Sequence, residues 1–337
     1  MARITILMPV YNGERFLKET VDNVLCQTYT DFSFLIINDG STDRTEEIIL
    51  SYDDLRIIYC RNEKNLGLVM TLNKGIEMIE TEFLARMDAD DLWEPTKLAK
   101  QITLLDEKPD VGICGTFIRK FGAINGDFIF PIDNEHLKVG FMFYCTMSHP
   151  SVVYRTSFLK ESELRYSADF YPAEDYKMWI DALQLTQIYN IPEILVYYRQ
   201  HEEQITQDSN SLQRKKTDLV RQEILERIAP DFTAEEKEFH VYKFTKGKVN
   251  SIKDYKEFVN WSKVLHAKNK QNGQYINPDI LEKELSYHIQ IFLKGYILEK
   301  YFKKMDLKNW SRYFFSFEWI YLSLRRNIAV FYKCLKG

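Results

Sequence analysis

Cysteine is scarce in this sequence and widely scattered. Its 337 residues include 5 cysteines, an odd number with no C-x-x-C pair, which argues against a disulfide framework and against a zinc site. No charge-free apolar run reaches the ~18 residues of a membrane span. The apolar stretch Ile4–Val10 is too short for a signal peptide and contains Pro9. We therefore expect a protein of a reducing cytosol, with a β-strand at Ile4–Val10.

A strong charge of one sign is also absent. The 45 Lys and Arg residues nearly balance 49 Asp and Glu residues, and the formal net charge is −4, which argues against a general nucleic-acid-binding protein. With 45% hydrophobic and 28% charged residues, the composition is typical of a soluble globular protein. The length allows one large domain or two smaller ones.

The first half of the sequence alternates strand and helix patterns. Strands are predicted at Ile4–Val10, Phe32–Ile37, Arg56–Cys60 and Glu82–Met87, with helices between them. The Phe32–Ile37 run is almost entirely apolar, as in a sheet that is covered on both faces. This βαβ alternation predicts an α/β fold with a mostly parallel sheet and right-handed crossovers.

The pattern changes near residue 205. Before that point strands are predicted at Val111–Ile118, Pro150–Tyr154 and Ile188–Tyr198, and a helix at Glu174–Leu185. After about Thr206 the strand patterns disappear, and long, charged, aromatic-rich helical segments follow. We therefore predict two domains, an α/β domain over residues 1–210 and a helical region over residues 211–337.

The most informative motif is the segment Arg86–Asp91, at the end of the fourth predicted strand. It contains three carboxylates, those of Asp88, Asp90 and Asp91. Burying carboxylates together is costly unless a cation compensates their charge. A divalent cation prefers oxygen ligands, and a nucleotide diphosphate can fill its remaining coordination sites. The alternative is a cap for the helix after Pro95, but three acids exceed what one cap needs, so the pattern favours a metal site.

Two more loops fall at the same edge of the predicted sheet, after the first and second strands. Tyr11 in the first loop can stack on a nucleobase, and Asp39 in the second can accept a hydrogen bond from a base N–H such as uracil N3–H. The other interpretation is ordinary turn and helix-capping chemistry, with Ser41, Thr42 or Asp43 as the N-cap. On these residues alone both interpretations stay open.

Segments further along the chain offer more polar groups. Glu174 and Asp175 begin a predicted helix, where a carboxylate could act as a general base or simply stabilise the helix amino terminus. Arg199 could offset diphosphate charge and His201 could bind a metal or a phosphate, although a surface loop accounts for both residues as well. His149 either faces an acceptor or hydrogen-bonds within a turn. Each of these positions is ambiguous by itself.

Taken in order, these segments resemble the family 2 glycosyltransferases with the GT-A fold. The matching segments, within residues 3–205, are Pro9–Asn12, Asp39–Asp43, Asn65–Gly67, Asn73–Ile76, Arg86–Asp91, His149–Ser151, Glu174–Asp175 and Tyr198–His201. Each segment is short, but the ordered set is specific. The resemblance implies a Rossmann-like twisted sheet with flanking helices, followed by an α-helical carboxy-terminal region.

The resemblance also implies a reaction. It is that of an inverting, metal-dependent hexosyltransferase that moves a hexose or N-acetylhexosamine from a UDP-sugar to a hydroxyl of a glycan, glycolipid or glycoprotein, as in bacterial polysaccharide synthesis. The implied cofactor is Mn²⁺ or Mg²⁺, bound at the D-x-D motif. A pore-forming polymer synthase is not implied, because the sequence has neither its membrane helices nor its Q-x-x-R-W-type motif.

The resemblance assigns roles to individual residues. Asp39 would read the base, with Tyr11 packed on it and Pro9 lining the pocket. Asp88 would contact the ribose or the water shell of the metal ion, and Asp90 would bind the ion. The remaining predictions are Asn65, Gly67, Arg86, Ala89 and Arg199 as donor-binding residues, Asp88 and His201 as further metal ligands, and Asp175 as the catalytic base.

Two other functions fit the sequence less well. A non-catalytic sugar-nucleotide-binding or scaffold protein of the same fold would be expected to lose a catalytic carboxylate, yet Asp88, Asp90 and Asp175 are all present. A nucleotidyltransferase would need a glycine-rich, basic phosphate loop after the first strand. At that position this chain has Gly13 beside Glu14.

The segment from Trp310 to Leu335 mixes aromatic and basic residues. This composition suits a membrane interface with anionic lipid, and it equally suits a helix packed on the catalytic domain or on a second subunit. We expect a cytoplasmic protein, and membrane docking would make it peripheral to the inner face of the cell membrane. A membrane surface and a homo-oligomer both stay open as partners.

Overall fold

The apolar runs of the amino-terminal half form a β-sheet in a computed structural model of the chain. The residues that this structure describes are 2–201, 210–301, 311–314, 316, 318–322 and 326–327. They fall into two units, one of Met1–Phe141 with Cys145–Val220 and one of Met142–Tyr144 with Arg221–Gly337. The domain boundary expected at residue 210 stays a prediction.

Four parallel strands make up the first half of the sheet. They are β1 (Ile4–Val10), β2 (Phe32–Asn38), β3 (Ile57–Arg61) and β4 (Phe83–Arg86), in the spatial order β3-β2-β1-β4. All seven residues of β1 are buried, as expected for a parallel strand that is covered on both faces. The carboxyl ends of β1, β2 and β4, at Val10, Asn38 and Arg86, therefore share one edge of the sheet.

Beyond β4 the sheet becomes mixed. The further strands are β5 (Leu92–Trp93), β6 (Val111–Gly122), β7 (Gly126–Phe128), β8 (Val153–Arg155) and β9 (Gln187–Gln200), in the order β4-β8-β6-β9-β5 with β7 paired to β6. β6 and β9 are parallel, whereas β8 is antiparallel to β4 and to β6. The α/β fold with flanking helices is confirmed. Every antiparallel pair of strands described in the sheet includes β5, β7 or β8. These strands are two or three residues long, too short for a βαβ pattern to predict their direction.

Helices pack on the sheet in the same unit. They are α1 (Leu17–Leu25), α2 (Thr45–Leu50), α3 (Leu68–Met78), α4 (Lys97–Glu107), α5 (Asn134–Phe141), α6 (Thr156–Glu161) and α7 (Glu174–Ala182). The short helices α5 and α6 are not among the predicted elements. A Cβ on Gly75 of α3 would lie 2.4 Å from Leu7 Cδ1 of β1, so the missing side chain lets α3 approach the sheet closely.

The second unit is helical. Its helices are α8 (Asn210–Ile228, with the residues up to Val220 in the first unit), α9 (Ala234–Phe239), α10 (Ile252–Gln271) and α11 (Pro278–Tyr301), with a π-helical turn at His240–Phe244. The expected α-helical carboxy-terminal region is thus confirmed for the described residues. Among the helices described in either unit, none combines the length and the apolarity that crossing a bilayer requires.

A buried histidine organises part of this helical core. His240 Nδ1 accepts a hydrogen bond from Trp261 Nε1 at 3.1 Å, and His240 Nε2 lies 3.2 Å from the carbonyl oxygen of Met142. Burial lowers the pKa of His240 to about 3, so the imidazole is neutral. Because Trp261 can only donate, Nε2 carries the proton and donates it to Met142.

The aromatic and basic segment at Trp310–Leu335 lies largely outside the described residues. Within the part that is described, Tyr313 is buried and its hydroxyl donates to Asn327 Oδ1 at 2.5 Å, whereas Phe314 and Ile320 are exposed. Membrane docking and subunit contact by this segment therefore stay predictions.

A lysine is buried at the start of α4 in the sheet unit. Lys97 has 0% of its surface exposed, and its Nζ lies 3.7 Å from the centroid of the Trp93 ring. No residue in the described part of the chain forms a hydrogen bond with this Nζ. Burial lowers the pKa of Lys97 to about 7, whereas an unfolded lysine titrates near ~10.4. Between pH values of about 7 and about 10.4 the unfolded chain binds more protons at Lys97 than the folded chain does, so the free energy of unfolding rises with pH.

Lys97→Met should stabilise the chain near neutral pH by on the order of 1–4 kcal/mol, because the thioether keeps the contact with Trp93 without burying a charge. The gain should shrink as the pH rises from about 7 to about 10, where the unfolded wild-type chain loses its extra proton. Denaturant unfolding followed by circular dichroism at both pH values measures it. Lys100→Met is the control, since Lys100 is on the same helix but partly exposed and paired with Glu193. Equal free energies of unfolding for the wild type and Lys97→Met at neutral pH would contradict the claim that burial of the Lys97 charge destabilises the fold.

Candidate active site

The loops after β1, β2 and β4 line one cleft at the carboxyl edge of the sheet, where α/β folds bind their ligands. The cleft has a volume of about 1390 Å³. It brings together the predicted residues Pro9, Tyr11, Asp39, Asn65, Gly67, Arg86, Asp88, Ala89, Asp90, Asp175 and His201. Residues that are far apart in the sequence therefore share one site.

Asp39 is a buried carboxylate that three donors hold in place. Its Oδ1 accepts from Asn62 Nδ2 at 2.7 Å and from the Leu66 N–H at 2.9 Å, and its Oδ2 accepts from the Gly67 N–H at 2.9 Å. Gly67 has a φ of +86°, a left-handed conformation that favours glycine. This conformation lets the loop after β3 direct its N–H groups toward Asp39, so the orientation of the carboxylate is fixed.

Polar side chains tie the loop after β1 to the loop after β2. Ser41 Oγ accepts from the Asn12 N–H at 2.9 Å, and Asn12 Oδ1 accepts in return from the Thr42 N–H at 2.9 Å. The N-cap residue of α2 is Arg44, so Ser41 and Thr42 connect the loops rather than cap the helix. Of the three capping candidates, only Asp43 accepts a hydrogen bond from the first residue of α2, with the Thr45 N–H 3.0 Å from Asp43 Oδ1. The connection holds Tyr11 in the cleft wall with 49% of its surface exposed, which leaves the ring available for stacking.

The three carboxylates after β4, those of Asp88, Asp90 and Asp91, form the acid cluster. One oxygen of each lies within 4.8 Å of the others. Burial raises the pKa of Asp90, and the charge of Asp88 adds to this effect. Burial also raises the pKa of Asp91, well above its usual range, and the charge of Asp90 is the second cause. Asp91 Oδ2 is buried, and no described residue forms a hydrogen bond with it. The raised pKa values indicate that the negative charge of the cluster is not fully balanced.

The donor set of the acid cluster fits a divalent cation. Carboxylate oxygens are the ligands that Mg²⁺ and Mn²⁺ prefer, and a cation would remove the repulsion and the burial penalty that raise these pKa values. His201 Nε2 lies 2.8 Å from Asp90 Oδ2, so an imidazole borders the cluster. Asp91 belongs to the cluster as well, although the predicted metal ligands are Asp88, Asp90 and His201.

Arg86 brings a positive charge into the cleft wall. Its side chain is buried and forms an ion pair with Asp88. Burial opposes the charge on the guanidinium, but the neighbouring Asp88 carboxylate outweighs burial and raises the pKa of Arg86. One buried cation does not balance three neighbouring carboxylates, so the deficit of the acid cluster remains.

A second group of carboxylates, the pair Glu174 and Asp175, lies in the cleft at the start of α7. Asp175 Oδ1 accepts from the Tyr176 N–H at 2.6 Å. Burial raises the pKa of Asp175 to about 6. The pKa of Glu174 is raised to about 8, mainly by burial and secondly by the charge of Asp175. Glu174 Oε2 is buried and has no hydrogen-bond partner among the described residues. A cleft carboxylate that titrates near neutrality is suited to accept a proton, and its place in the first turn also stabilises the helix.

His149 belongs to a buried network of hydroxyl groups. Its Nε2 lies 2.8 Å from the Tyr166 hydroxyl, which in turn lies 2.7 Å from the Tyr154 hydroxyl. Burial lowers the pKa of His149 well below its usual range, so the ring is neutral. The ring lines the cleft, and its partner lies outside the turn at His149–Ser151, unlike the turn-internal hydrogen bond considered from the sequence.

Arg199 supports the acid cluster through its backbone and its side chain. The Arg199 N–H donates to Asp91 Oδ1 at 2.7 Å, and Nε donates to the Asp90 carbonyl oxygen at 2.7 Å. Its guanidinium pairs with Glu19 at 2.7 Å. Arg199 is not one of the described residues that line the cleft. Its contact with a nucleotide therefore stays a prediction. This supporting position could not be predicted from the residue pattern, because it depends on how β9 lies relative to the acid cluster.

The cleft also contains residues that the sequence did not mark. Ile118 and Lys120 enter it from β6, and Phe128 enters it from β7. Side chains two apart on a strand share a face, so Ile118 and Lys120 line the cleft together. Lys120 lies two residues beyond the predicted strand Val111–Ile118, and only the observed length of β6 and the order of the strands show that this face belongs to the cleft.

Comparisons with known proteins identify the family of this chain. The profile of glycosyl transferase family 2 matches residues 5–142. The chain is 30% identical over 207 residues to an uncharacterized glycosyltransferase of Methanocaldococcus jannaschii (58% of this chain, 70% of that protein). It is 32% identical over 216 residues to an uncharacterized glycosyltransferase of Rickettsia typhi (60% of this chain, 65% of that protein). It is 29% identical over 204 residues to the UDP-Glc:alpha-D-GlcNAc-diphosphoundecaprenol beta-1,3-glucosyltransferase WfaP of Escherichia coli (60% and 78%).

Solved structures share the fold. The structure of S. aureus TarS 1-349 in complex with UDP-GlcNAc has a TM-score of 0.58 at 18% identity, and the match covers 88% of this chain and 91% of the TarS 1-349 chain. The mannosyltransferase PcManGT from Pyrobaculum calidifontis, in complex with GDP-Man and Mn²⁺, has a TM-score of 0.52 at 15% identity and covers 99% and 87%. The predicted family is therefore confirmed, and this chain belongs to glycosyl transferase family 2 as a glycosyltransferase with the GT-A fold.

Proposed function

We propose that this glycosyltransferase moves a hexose or N-acetylhexosamine from a UDP-sugar to an acceptor hydroxyl, with inversion and with Mn²⁺ or Mg²⁺. The observation that supports this most is that Asp39, two members of the acid cluster (Asp88 and Asp90) and Asp175 line one cleft. Recognition of the base, compensation of phosphate charge and removal of a proton each need one of these groups. Transfer needs all of them within reach of one donor molecule.

The base of the donor would bind at Asp39. A carboxylate offers about four lone-pair sites, and three of those on Asp39 already accept hydrogen bonds. The remaining site suits the single N3–H of uracil better than the paired N–H groups of guanine. The exposed ring of Tyr11 would pack against the base, with Pro9 in the same wall.

The acid cluster would hold the cation. Asp90 and Asp88 are the proposed ligands, with Asp91 and His201 beside them. When bound there, Mn²⁺ or Mg²⁺ supplies positive charge that stabilises the departing diphosphate. Arg86 remains paired with Asp88 and adds a fixed positive charge to the same wall. The TarS and PcManGT complexes contain UDP-GlcNAc, and GDP-Man with Mn²⁺, respectively, which supports a donor and a cation in this fold.

Asp175 would remove the proton from the acceptor. Inversion requires the acceptor hydroxyl to attack the anomeric carbon from the face opposite the diphosphate and to lose its proton as the new bond forms. Asp175 lines the cleft, and the Tyr176 N–H fixes its orientation. Its raised pKa makes it a stronger base than an exposed aspartate.

The acceptor is proposed to be a hydroxyl of a glycan, glycolipid or glycoprotein. WfaP is named as a glucosyltransferase whose acceptor is a GlcNAc linked through a diphosphate to undecaprenol. This similarity supports a polysaccharide precursor as one of the acceptor classes. A cytoplasmic location at the inner face of the membrane would bring the chain to such an acceptor.

Asp175→Asn should bind UDP as the wild type does but lose transfer by about 10²–10⁴-fold, because an amide cannot accept the hydroxyl proton. The measurements are UDP release from a panel of UDP-sugars and glycan acceptors with Mn²⁺, and calorimetric titration with UDP. Asp181→Asn is the matched control, since Asp181 is on the same helix and pairs with Lys177. Transfer by Asp175→Asn at the wild-type rate would disprove the role as base.

The rate of transfer should fall as the pH drops below about 6. Burial raises the pKa of Asp175 to about 6, and only the ionised carboxylate can accept the proton. The profile of kcat/KM against pH should show an acidic limb near that value. A limb near the ordinary aspartate value of ~3.9 would mean that a different group, or an exposed one, limits the reaction.

Asp90→Asn should weaken Mn²⁺ binding by at least about 10-fold, because it removes one charged oxygen ligand from the acid cluster. Titration followed by the electron paramagnetic resonance of Mn²⁺ measures the affinity. Asp22→Asn, at an exposed carboxylate paired with Lys18, is the control. EDTA should abolish transfer by the wild type and added Mn²⁺ should restore it, so full activity in excess EDTA would exclude a metal role.

A further inference from the structure

Lys120 is a cation in the cleft that the proposed donor chemistry does not use. It follows Ile118 on the cleft face of β6, and Ile118 pairs directly with Phe128 of β7. Lys120 Nζ lies 4.5 Å from the centroid of the Phe128 ring and 5.9 Å from that of Tyr198. These rings limit the positions of the lysine side chain, which lowers the entropy cost of binding a ligand there.

Two other cations of the cleft wall already have carboxylate partners, whereas Lys120 has none in the described part of the chain. Arg86 pairs with Asp88, and Arg44 pairs with Glu14. Burial alone lowers the pKa of Lys120, with no neighbouring charge to oppose it. A partly dehydrated ammonium without a counter-ion is stabilised when an anionic ligand binds. Lys120 therefore indicates an anion at this side of the cleft.

The chain that follows Lys120 exposes apolar side chains. Four large ones are between 37% and 69% exposed, namely Ile124, Phe128, Ile129 and Ile132. We call residues 118–132, which include β7, the apolar hairpin. Arg119 and Asp127 of this hairpin pair with each other, so the charge of Lys120 is left uncompensated beside an apolar surface. Exposed apolar side chains concentrated in one segment mark an interaction surface.

We propose that Lys120 and the apolar hairpin bind the phosphate and the hydrocarbon chain of a glycolipid acceptor, in which the acceptor sugar is linked to a lipid through a phosphate or diphosphate. This inference rests on the proposed glycosyltransferase function and narrows its acceptor class. The ammonium suits the phosphate, and the apolar side chains suit the hydrocarbon chain.

The continuity of this surface with the cleft favours a lipid-linked acceptor over other acceptors. Lys120 and Phe128 line the same cleft as Asp175, so one molecule could present its sugar to the proposed base and its phosphate to the lysine. A free glycan or a protein hydroxyl would need neither an unpaired ammonium nor the exposed side chains of Ile124 and Ile129. Negative charge next to a hydrocarbon chain matches both features at once.

Binding of citronellyl diphosphate, a short prenyl diphosphate, to the full chain saturated with UDP and Mn²⁺ tests the proposal. Saturation fills the donor site, so the added diphosphate cannot simply bind at the acid cluster. Calorimetry compares this probe with inorganic pyrophosphate and with citronellol. We expect citronellyl diphosphate to bind at least about 10-fold more tightly than either one, because the phosphate and the hydrocarbon chain are both recognised.

Two variants assign the binding to these residues. Lys120→Gln should weaken citronellyl diphosphate binding by about 10-fold, and Ile129→Ser by about 3-fold or more. Lys108→Gln is the control for the first, since Lys108 also contacts an aromatic ring, that of Tyr189, but outside the cleft. Leu55→Ser is the control for the second, because Leu55 is fully exposed elsewhere. Both controls should bind the probe as the wild type does.

Wild-type affinity in Lys120→Gln, or pyrophosphate binding as tightly as citronellyl diphosphate, would overturn the proposal. Titration of every variant with UDP and Mn²⁺ distinguishes two failures. If the wild type binds UDP but not the lipid diphosphate, the acceptor inference alone is wrong. If the wild type does not bind UDP, the proposed function is wrong and the inference is lost with it. Loss of UDP binding in Lys120→Gln would assign the lysine to the donor and also overturn the proposal.

Discussion

The repulsion among carboxylates at the end of β4 is the constraint on which the rest of the cleft depends. Asp88, Asp90 and Asp91 follow a buried strand directly, and one oxygen of each lies within 4.8 Å of the others. Arg86 compensates part of the charge through its ion pair with Asp88, and Arg199 contributes two N–H donors. These contacts hold the acids in place without neutralising them. A site of this kind has lower free energy when a cation binds, which is why we interpret it as the part of the cleft that binds phosphate.

Backbone N–H groups hold the other functional carboxylates. Gly67 donates to Asp39 and Tyr176 donates to Asp175, and in each case the loop or helix start fixes the direction of an acceptor before any ligand arrives. A group that is already oriented loses little conformational entropy on binding and needs little reorganisation in the transition state. The cleft thus combines two carboxylates of fixed orientation, Asp39 and Asp175, with an acid cluster whose charge a bound cation would compensate.

Much of the sheet could be predicted from the sequence. β1 to β4 and α1 to α4 follow from apolar runs separated by helical spacing, because each element is long enough to show its period. The short strands β5 and β7 could not be predicted in the same way, since two or three residues carry no period. A strand was predicted at Pro150–Tyr154, where β8 lies, but its antiparallel direction depends on long-range pairing.

The side chains that carry chemistry were easier to identify than their surroundings. An acid triplet after a buried strand, an Asp39 loop and a carboxylate pair at a helix start are visible as residue types in order. Their burial, pKa and partners are not, because each depends on which elements lie next to one another. Arg199 was identified from the sequence without its contacts to Asp90 and Asp91. Lys120 was not marked at all, because its place beside Phe128 depends on the pairing of strands.

The sequence by itself therefore determined the chemistry that this protein has available and the edge of the sheet where it collects, since the carboxyl ends of parallel strands meet at one edge. Only the tertiary structure decided which of these groups share a cleft, which cations are already paired and which surface next to them is apolar. The physical reason is that charge compensation and burial are set by distances between segments remote in sequence. A pattern of residue types along the chain does not contain those distances.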